Sequence, residues 1–171
     1  GGRSLLDRGT VIRHNFIHHI GNATGNRQGA IYTDDGLGGV SIIGNVLYLI
    51  GSPTAGTGAL LSNGSNDCVY ENNIIVNCRT SIGGGNWPAK RWKRELRKGA
   101  DLFDRLVKVT SASDVYFQRY PILRRYISPG FIPPTNTATR NLLVAAGTLG
   151  SNVIDRGGNW STDGDPGFVD M

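Results

Sequence analysis

Three aspartates occupy positions that a repeated sequence pattern fills with other residues. Asp34 and Asp35 end the segment 29–35, whose second copy at 58–64 ends in asparagine and glycine. Asp67 lies six residues before an asparagine of the pattern, where the previous copy has a glycine. Two carboxyl groups on either side of a glycosidic bond are the minimal machinery for its hydrolysis, by a retaining or an inverting route. We therefore predict that Asp34 or Asp35 pairs with Asp67 as the catalytic residues of a glycoside hydrolase.

Other side chains are suited to holding a sugar near these acids. Aromatic rings offer flat apolar platforms, histidines can exchange protons, and arginines can clamp a carboxylate. The predicted substrate-binding residues are His18, His19, Arg27, Tyr32, Trp87 and Arg91. The histidines are not spaced to converge on zinc, so the predicted hydrolase has no metal and no cofactor.

These residues lie within sequence motifs that are repeated along the chain. One motif occurs at residues 11–21, 41–51 and, more loosely, 69–78, and a second motif occurs at 29–34 and 58–63. The first motif contains an asparagine in each copy, and these asparagines, Asn15, Asn45 and Asn73, are 30 and 28 residues apart. A fixed period of this size is typical of repeat architectures, and the alternation of apolar residues predicts about three short strands per repeat.

Successive repeats are therefore expected to stack as coils of a solenoid, about 4.8 Å apart. Stacked asparagines would then hydrogen-bond to one another and to the backbone of the bend, each bond contributing about 0.5 to 1.5 kcal/mol. The predicted fold class is all-β, with about three to four coils. Residues 1–83 form the coils, and residues 137–171 return to them.

Residues 84–136 interrupt the repeat. Five apolar residues that follow one another at intervals of three or four residues would form one apolar stripe along a helix, so they predict a single amphipathic helix. These residues are Trp92, Leu96, Ala100, Phe103 and Val107. The prolines at 121, 129, 133 and 134 predict that residues 116–132 form an extended excursion after this helix. Insertions of this kind lie on one face of a solenoid, which is often its binding face.

The repeats resemble the right-handed parallel β-helix of the pectate-lyase-like superfamily. The segments that carry the resemblance are GAIYTDDGLGGVSIIGNVLYLIG at 29–51, GALLSNGSNDCVYENNIIVNC at 58–78 and NWSTDGDPGFVD at 159–170. The chain looks most similar to secreted glycoside hydrolases of the α-fucosidase and xylanase type. The resemblance implies a polysaccharide or oligosaccharide substrate and a secreted, periplasmic or cell-surface location. We also expect a fragment, with further β-helix coils of the same polypeptide as its neighbours.

Two other functions stay open at this point. The resemblance also extends to polysaccharide lyases, in which a cation and a basic residue remove a proton beside a uronate carboxylate. The three aspartates with Asn63 would supply oxygen ligands to Ca²⁺, and Arg27, Arg79 or Lys90 would be the base. The other possible function is that of a non-catalytic carbohydrate-binding protein or adhesin with a β-helix fold.

Composition narrows the range of partners. The net charge is +5, and residues 88–108 hold eight basic and three acidic residues, so the remainder is near neutral and no nucleic-acid partner is predicted. No apolar run reaches about 18 residues, which predicts no membrane span. Cys68 and Cys78 fall at apolar positions of the repeat and are predicted to be buried free thiols.

Overall fold

The computed structural model describes residues 3–21, 29–51 and 58–168. The strands in these residues are β1 (Val11–Arg13), β2 (Phe16–Ile20), β3 (Ile31–Asp34), β4 (Ser41–Ile43), β5 (Val46–Ile50), β6 (Gly58–Asn63), β7 (Val69–Glu71), β8 (Ile74–Val76), β9 (Thr80–Gly85), β10 (Asn136–Thr139), β11 (Leu142–Val144), β12 (Val153–Asp155) and β13 (Trp160–Thr162). The helices are α1 (Ala89–Glu95), α2 (Asp101–Ala112), α3 (Val115–Arg119) and α4 (Leu123–Tyr126).

The strands form three sheets in which all neighbours are parallel. Sheet A has the order β1-β4-β7-β10-β12, sheet B the order β13-β11-β8-β5-β2, and sheet C the order β3-β6-β9. From β1 to β9 the chain visits A, B and C in turn, and each return to A adds the next strand. After β11 the described chain passes from sheet B to β12 in sheet A with no further strand in sheet C. Strand pairing follows the sequence period, because Ile12 pairs with Ile42 and Ile42 with Tyr70.

The side chains that point inward from the three sheets form the first hydrophobic core. Its fully buried members include Ile42, Leu47, Leu60, Ile75 and Leu143. Cys68 and Cys78 belong to this core as free thiols, which confirms the sequence prediction, and burial raises the pKa of both. Each thiol therefore serves as a small apolar side chain.

A ladder of asparagine side chains runs along the bend between sheets A and B. Its members, one per repeat, are Asn15, Asn45, Asn73, Asn141 and Asn159. The Nδ2 of each of the first four donates to the Oδ1 of the next asparagine, at 2.8 to 3.0 Å, and the Nδ2 of Asn159 donates to the carbonyl of Ala138 and to Asp155 Oδ1. The same Oδ1 accepts the backbone N–H of the preceding asparagine, for example Asn45 N to Asn73 Oδ1 at 3.0 Å. The stacking expected for the first three asparagines is thus confirmed, and two more asparagines extend it.

The four helices enclose a second hydrophobic core beside the sheets. Its buried residues are Leu5, Trp87, Trp92, Leu102, Leu106, Phe117, Leu123 and Tyr126. The side chain of Leu5 comes from the N-terminal segment, so this core joins the start of the described chain to the helices. The pyrrole edge of Trp87 lies against Gly64, where a Cβ would collide with Nε1, and this contact fastens the helices to sheet C.

The predicted fold class, an all-β right-handed parallel β-helix with one inserted helix, is wrong. The described chain has three all-parallel sheets of five, five and three strands together with four short helices, an α/β-type fold rather than a single solenoid. The physical reason is that residues 84–136 carry enough apolar side chains to build a core of their own, instead of packing as one helix along the strands.

The predicted helix and excursion are corrected in the same way. The apolar stripe is divided between α1 and α2, because Gly99 adopts a left-handed conformation (φ 87°) between them. The side chains that α2 buries are Leu102, Leu106 and Thr110 rather than those of the expected stripe. Residues 116–132 hold most of α3 and all of α4 rather than a wholly extended chain, because Phe117 and Leu123 belong to the second core.

We expect Asn73→Ala to lower the free energy of unfolding by about 2 to 4 kcal/mol. The substitution leaves the buried backbone N–H of Asn45 and the carbonyl of Ile42 without their amide partner, and each unsatisfied group is costly. Urea denaturation followed by circular dichroism measures the change. Asn15→Ala is the matched control, since it removes the same group at the exposed end of the ladder and should cost less than half as much. Equal losses for both variants would contradict the role of the ladder.

Candidate functional site

Sheet C presents a flat polar surface, which we call the sheet C face. Strand alternation turns Thr33 and Ser62 into the core and leaves the side chains beside them outside. The face consists of two rows in register: Tyr32, Leu61 and Gly83 in one, and Asp34, Asn63 and Gly85 in the other. Parallel pairing therefore places an aromatic ring, a carboxylate and an amide on one surface.

The polar residues of the sheet C face interact with one another. Asn63 Nδ2 donates to Asp34 Oδ1 at 2.8 Å. Partial burial raises the pKa of Tyr32, the Asn63 side chain opposes this shift, and the nearby Asp34 carboxylate adds to it. The hydroxyl of Tyr32 therefore stays protonated at neutral pH, and 47% of the residue is exposed. The face offers a hydroxyl donor, an amide and a carboxylate acceptor around an accessible ring.

An open groove of about 510 Å³ adjoins the sheet C face. Leu61 and Gly83 belong to both, and residues 147–152 form the opposite wall. A Cβ at Gly83 would meet no atom within 4 Å, so the space above this glycine is open. Asn152 lines the groove, and its buried Nδ2 has no hydrogen-bond partner among the described residues.

Asp35, the second predicted acid, forms ion pairs with two arginines. Its carboxylate lies 3.1 Å from Arg3 Nε and 3.3 Å from Arg91 Nη2. The guanidinium of Arg91 also lies 3.7 Å above the ring of Trp87, which is only 6% exposed and contacts Trp92. Asp35, Arg91 and Trp87 thus form one cluster that links the N-terminal segment, the end of β3 and α1.

Asp67, the third predicted acid, is held by a buried arginine. Arg8 Nη1 donates to Asp67 Oδ2 at 2.8 Å, and only 2% of the Arg8 side chain is exposed. Arg8 Nη2 donates to Asn66 Oδ1 at 3.2 Å and to the hydroxyl of Tyr126 at 2.8 Å. The hydroxyl of Tyr126 donates in turn to Asn66 Oδ1, and burial raises the pKa of Tyr126. This arrangement, the Arg8 network, joins the N-terminal segment, the turn before β7 and α4.

The structure places the three predicted acids in separate local environments. Within the described residues, no hydrogen bond or ion pair connects Asp67 with Asp34 or Asp35. Asp34 belongs to the sheet C face with Tyr32, whereas Asp35 and Asp67 are each held by arginines. The pairing of Asp67 with either of the other acids stays a prediction.

The remaining predicted residues lie elsewhere. His18 and His19 belong to β2 at the edge of sheet B, exposed, with their Nδ1 atoms 2.8 Å apart, and His19 contacts Tyr48 edge to face. They are therefore on a different sheet from Tyr32 and Asp34. Arg27 lies outside the described residues.

No group of three or more histidine, cysteine or acidic side chains that could hold a metal ion occurs in the described parts of the chain. The Ca²⁺ ligand set considered from the sequence divides between Asp34 with Asn63, Asp35 with its arginines, and Asp67 with Arg8. Among the described helices, none is long and apolar enough to cross a membrane.

Sequence reasoning missed the third strand of the sheet C face and the wall of the groove. Asp34 pairs with Asn63 across 29 residues, but Asn63 pairs with Gly85 across only 22, so a search at the repeat period passes over β9. The glycines of residues 83–85 were the available signal, because glycines within a strand often mark a place where a ligand or another backbone segment approaches closely. Asn152 carries no such signal, since it lies in an irregular segment.

Comparison with protein-family models, with curated proteins and with solved structures finds no match. The functional argument therefore depends on the chemistry of the described surfaces.

We expect Arg8→Met to lower the free energy of unfolding by about 2 to 4 kcal/mol, because it leaves the buried acceptor of Asn66 and the hydroxyl of Tyr126 without their shared donor. Arg13→Met, an exposed arginine of β1, is the matched control and should cost under about 0.5 kcal/mol.

Asp67→Asn completes this test. The amide oxygen of the new asparagine still accepts from Arg8, so we expect a smaller loss of stability than for Arg8→Met. Thermal unfolding of the three variants and the parent protein measures the differences. A loss for Asp67→Asn as large as that for Arg8→Met, or a loss for Arg8→Met no larger than that for Arg13→Met, would contradict the stabilising role of the Arg8 network.

Proposed function

We propose that the protein binds a polysaccharide or oligosaccharide across the sheet C face, in an extracellular, periplasmic or cell-surface setting. The observation that carries the proposal is the exposed ring of Tyr32, in one sheet with the hydrogen-bonded pair of Asp34 and Asn63 and beside an open groove. The resemblance of residues 29–51 and 58–78 to carbohydrate-active proteins supports the same ligand class.

The chemistry of a sugar matches each part of this surface. The C–H face of a pyranose ring stacks on an aromatic platform, which Tyr32 offers. Sugar hydroxyls both donate and accept, so they can donate to the carboxylate of Asp34 and accept from the exposed amide of Asn63. The glycines of β9 leave room for a ring above the sheet, and a groove of about 510 Å³ has the size of a small-ligand site.

Hydrolysis of a glycosidic bond is the second candidate, and one observation favours it. Asp34 forms no ion pair within the described residues, whereas Asp35 and Asp67 both do. Its carboxyl group lies on the proposed binding surface and is half-buried, so it could reach a sugar oxygen. We propose that Asp34 carries the acid or base step of such a reaction.

We expect Tyr32→Ala to weaken polysaccharide binding by roughly tenfold, about 1.4 kcal/mol, because the variant loses the stacking platform without disturbing the core. Affinity electrophoresis against a panel of neutral and acidic polysaccharides, followed by calorimetry on any that bind, measures the change. Trp160→Ala is the matched control, since Trp160 is an exposed aromatic residue on sheet B. If Trp160→Ala weakens binding and Tyr32→Ala does not, the sheet C face is not the site. Absence of binding to every polysaccharide would overturn the proposal.

For hydrolysis, we expect release of new reducing ends from a bound polysaccharide, and loss of at least about a hundredfold of that rate in Asp34→Asn. The variant should retain polysaccharide binding, because the amide still accepts a hydrogen bond from Asn63. Asp67→Asn, whose carboxylate is held by Arg8, is the control and should keep the rate. Full activity in Asp34→Asn would exclude this role, and products that absorb as unsaturated uronates would identify a lyase instead.

A further inference from the structure

The positive charge of the chain is concentrated in its helical part. Residues 84–136 contain eleven of the 18 basic residues and four of the 13 acidic ones, a local net charge of +7 against +5 for the whole chain. The four helices thus form a cationic body beside sheets that are slightly acidic. A surface groove in this body is the feature of interest.

That groove, which we call the α1–α2 groove, has a volume of about 390 Å³. Its apolar lining includes Leu96, Phe103, Ile127 and Phe131. Ile127 is 40% exposed, although it is a large apolar side chain at the mouth of the groove. The basic residues that line the groove are Lys93, Arg97 and Lys98.

These three cations have no hydrogen-bond or ion-pair partner among the described residues. The acids of the same helices are already engaged: Arg94 binds Glu95, Arg105 binds Asp101, and Arg124 binds Asp114. The fourth acid, Asp104, accepts the backbone N–H of Gly99 and keeps its negative charge. With eleven basic and four acidic residues, the helical part stays strongly positive after these pairings, and the three cations of the groove form no ion pair among the described residues.

We propose that the α1–α2 groove binds a small organic anion that carries an apolar ring system. The ring system would pack against Phe103, Ile127 and Phe131, and the anionic group would lie among Lys93, Arg97 and Lys98. A volume of about 390 Å³ lies within the range of sites for single small ligands. This site is on the helices, apart from the sheet C face, and it does not depend on the carbohydrate proposal.

A small ligand fits the groove better than a nucleic acid does. A nucleic acid is recognised by cations spread along its backbone, with aromatic rings or groove-reading side chains between them. Here the cations come from one short stretch, 93–98, and line the same hollow as the apolar side chains rather than following a track. A lining that combines apolar and cationic side chains matches a ligand with one apolar and one charged part.

The probe for this site is 8-anilinonaphthalene-1-sulfonate, which has an aromatic body and one sulfonate. We expect saturable binding to the folded protein, seen as fluorescence enhancement with one site. The variant Lys93→Gln/Arg97→Gln/Lys98→Gln should bind about tenfold more weakly. The variant Lys90→Gln/Lys108→Gln/Arg156→Gln, which loses the same charge outside the groove, should bind like the parent protein. Circular dichroism must show that both variants are folded.

Two further measurements separate the apolar and ionic parts. The neutral analogue N-phenyl-1-naphthylamine should bind equally to the parent and to the first variant, because it lacks the sulfonate. Ile127→Ser should weaken both probes. The proposal would be overturned if the two charge variants weakened sulfonate binding equally, or if the sulfonate probe showed no saturable binding. It would also be overturned if short duplex DNA displaced the probe and the first variant still bound the probe as tightly as the parent protein does.

Discussion

The asparagine ladder is the interaction on which the rest of the structure depends. Each amide inside it accepts two hydrogen bonds from the preceding asparagine and donates to the next asparagine and to a strand carbonyl, so its hydrogen-bonding capacity is used within the repeat. Each asparagine lies at the bend between a strand of sheet A and a strand of sheet B, so the ladder holds successive repeats in register in both sheets. In sheet C the pairing of β3 with β6 sets the register, and a slip of one residue there would turn Tyr32 inward and Thr33 outward.

The repeated part of the fold could be predicted because it depends on local spacing. Asn45 and Asn73 are 28 residues apart, and a pattern of this length can be recognised in the sequence. Asn141 is 68 residues from Asn73, since the helices intervene, so the next step of the ladder has no visible period. The fold class was wrong for a related reason. Apolar residues at helical spacing indicate a helix, but they do not show whether several short helices will bury them against one another as Trp92 and Leu123 are buried.

The candidate site was predictable only where a repeat made a departure visible. Asp34 and Tyr32 lie in a segment with a second copy, and comparison of the copies drew attention to them. The role of Asp67 could not be read in this way, because its partner Arg8 is 59 residues away and Tyr126 is 118 residues from Arg8. A lone arginine in an irregular N-terminal segment has no pattern that would link it to a turn and a helix. Contacts of this kind are set by tertiary packing, which no spacing rule encodes.

The connections between sheet C and sheet A differ greatly in length. Residues 35–40 and 64–68 make the first two, whereas residues 86–135 make the third, yet β10 pairs with β7 in parallel register as β7 pairs with β4. The strands on either side of the third connection therefore meet in the same register across a much longer stretch of chain. Because the entropic cost of bringing two chain ends together rises with the length between them, closing sheet A at β10 costs more conformational entropy than closing it at β4 or β7. The helices offset part of this cost, since their own core orders the intervening chain.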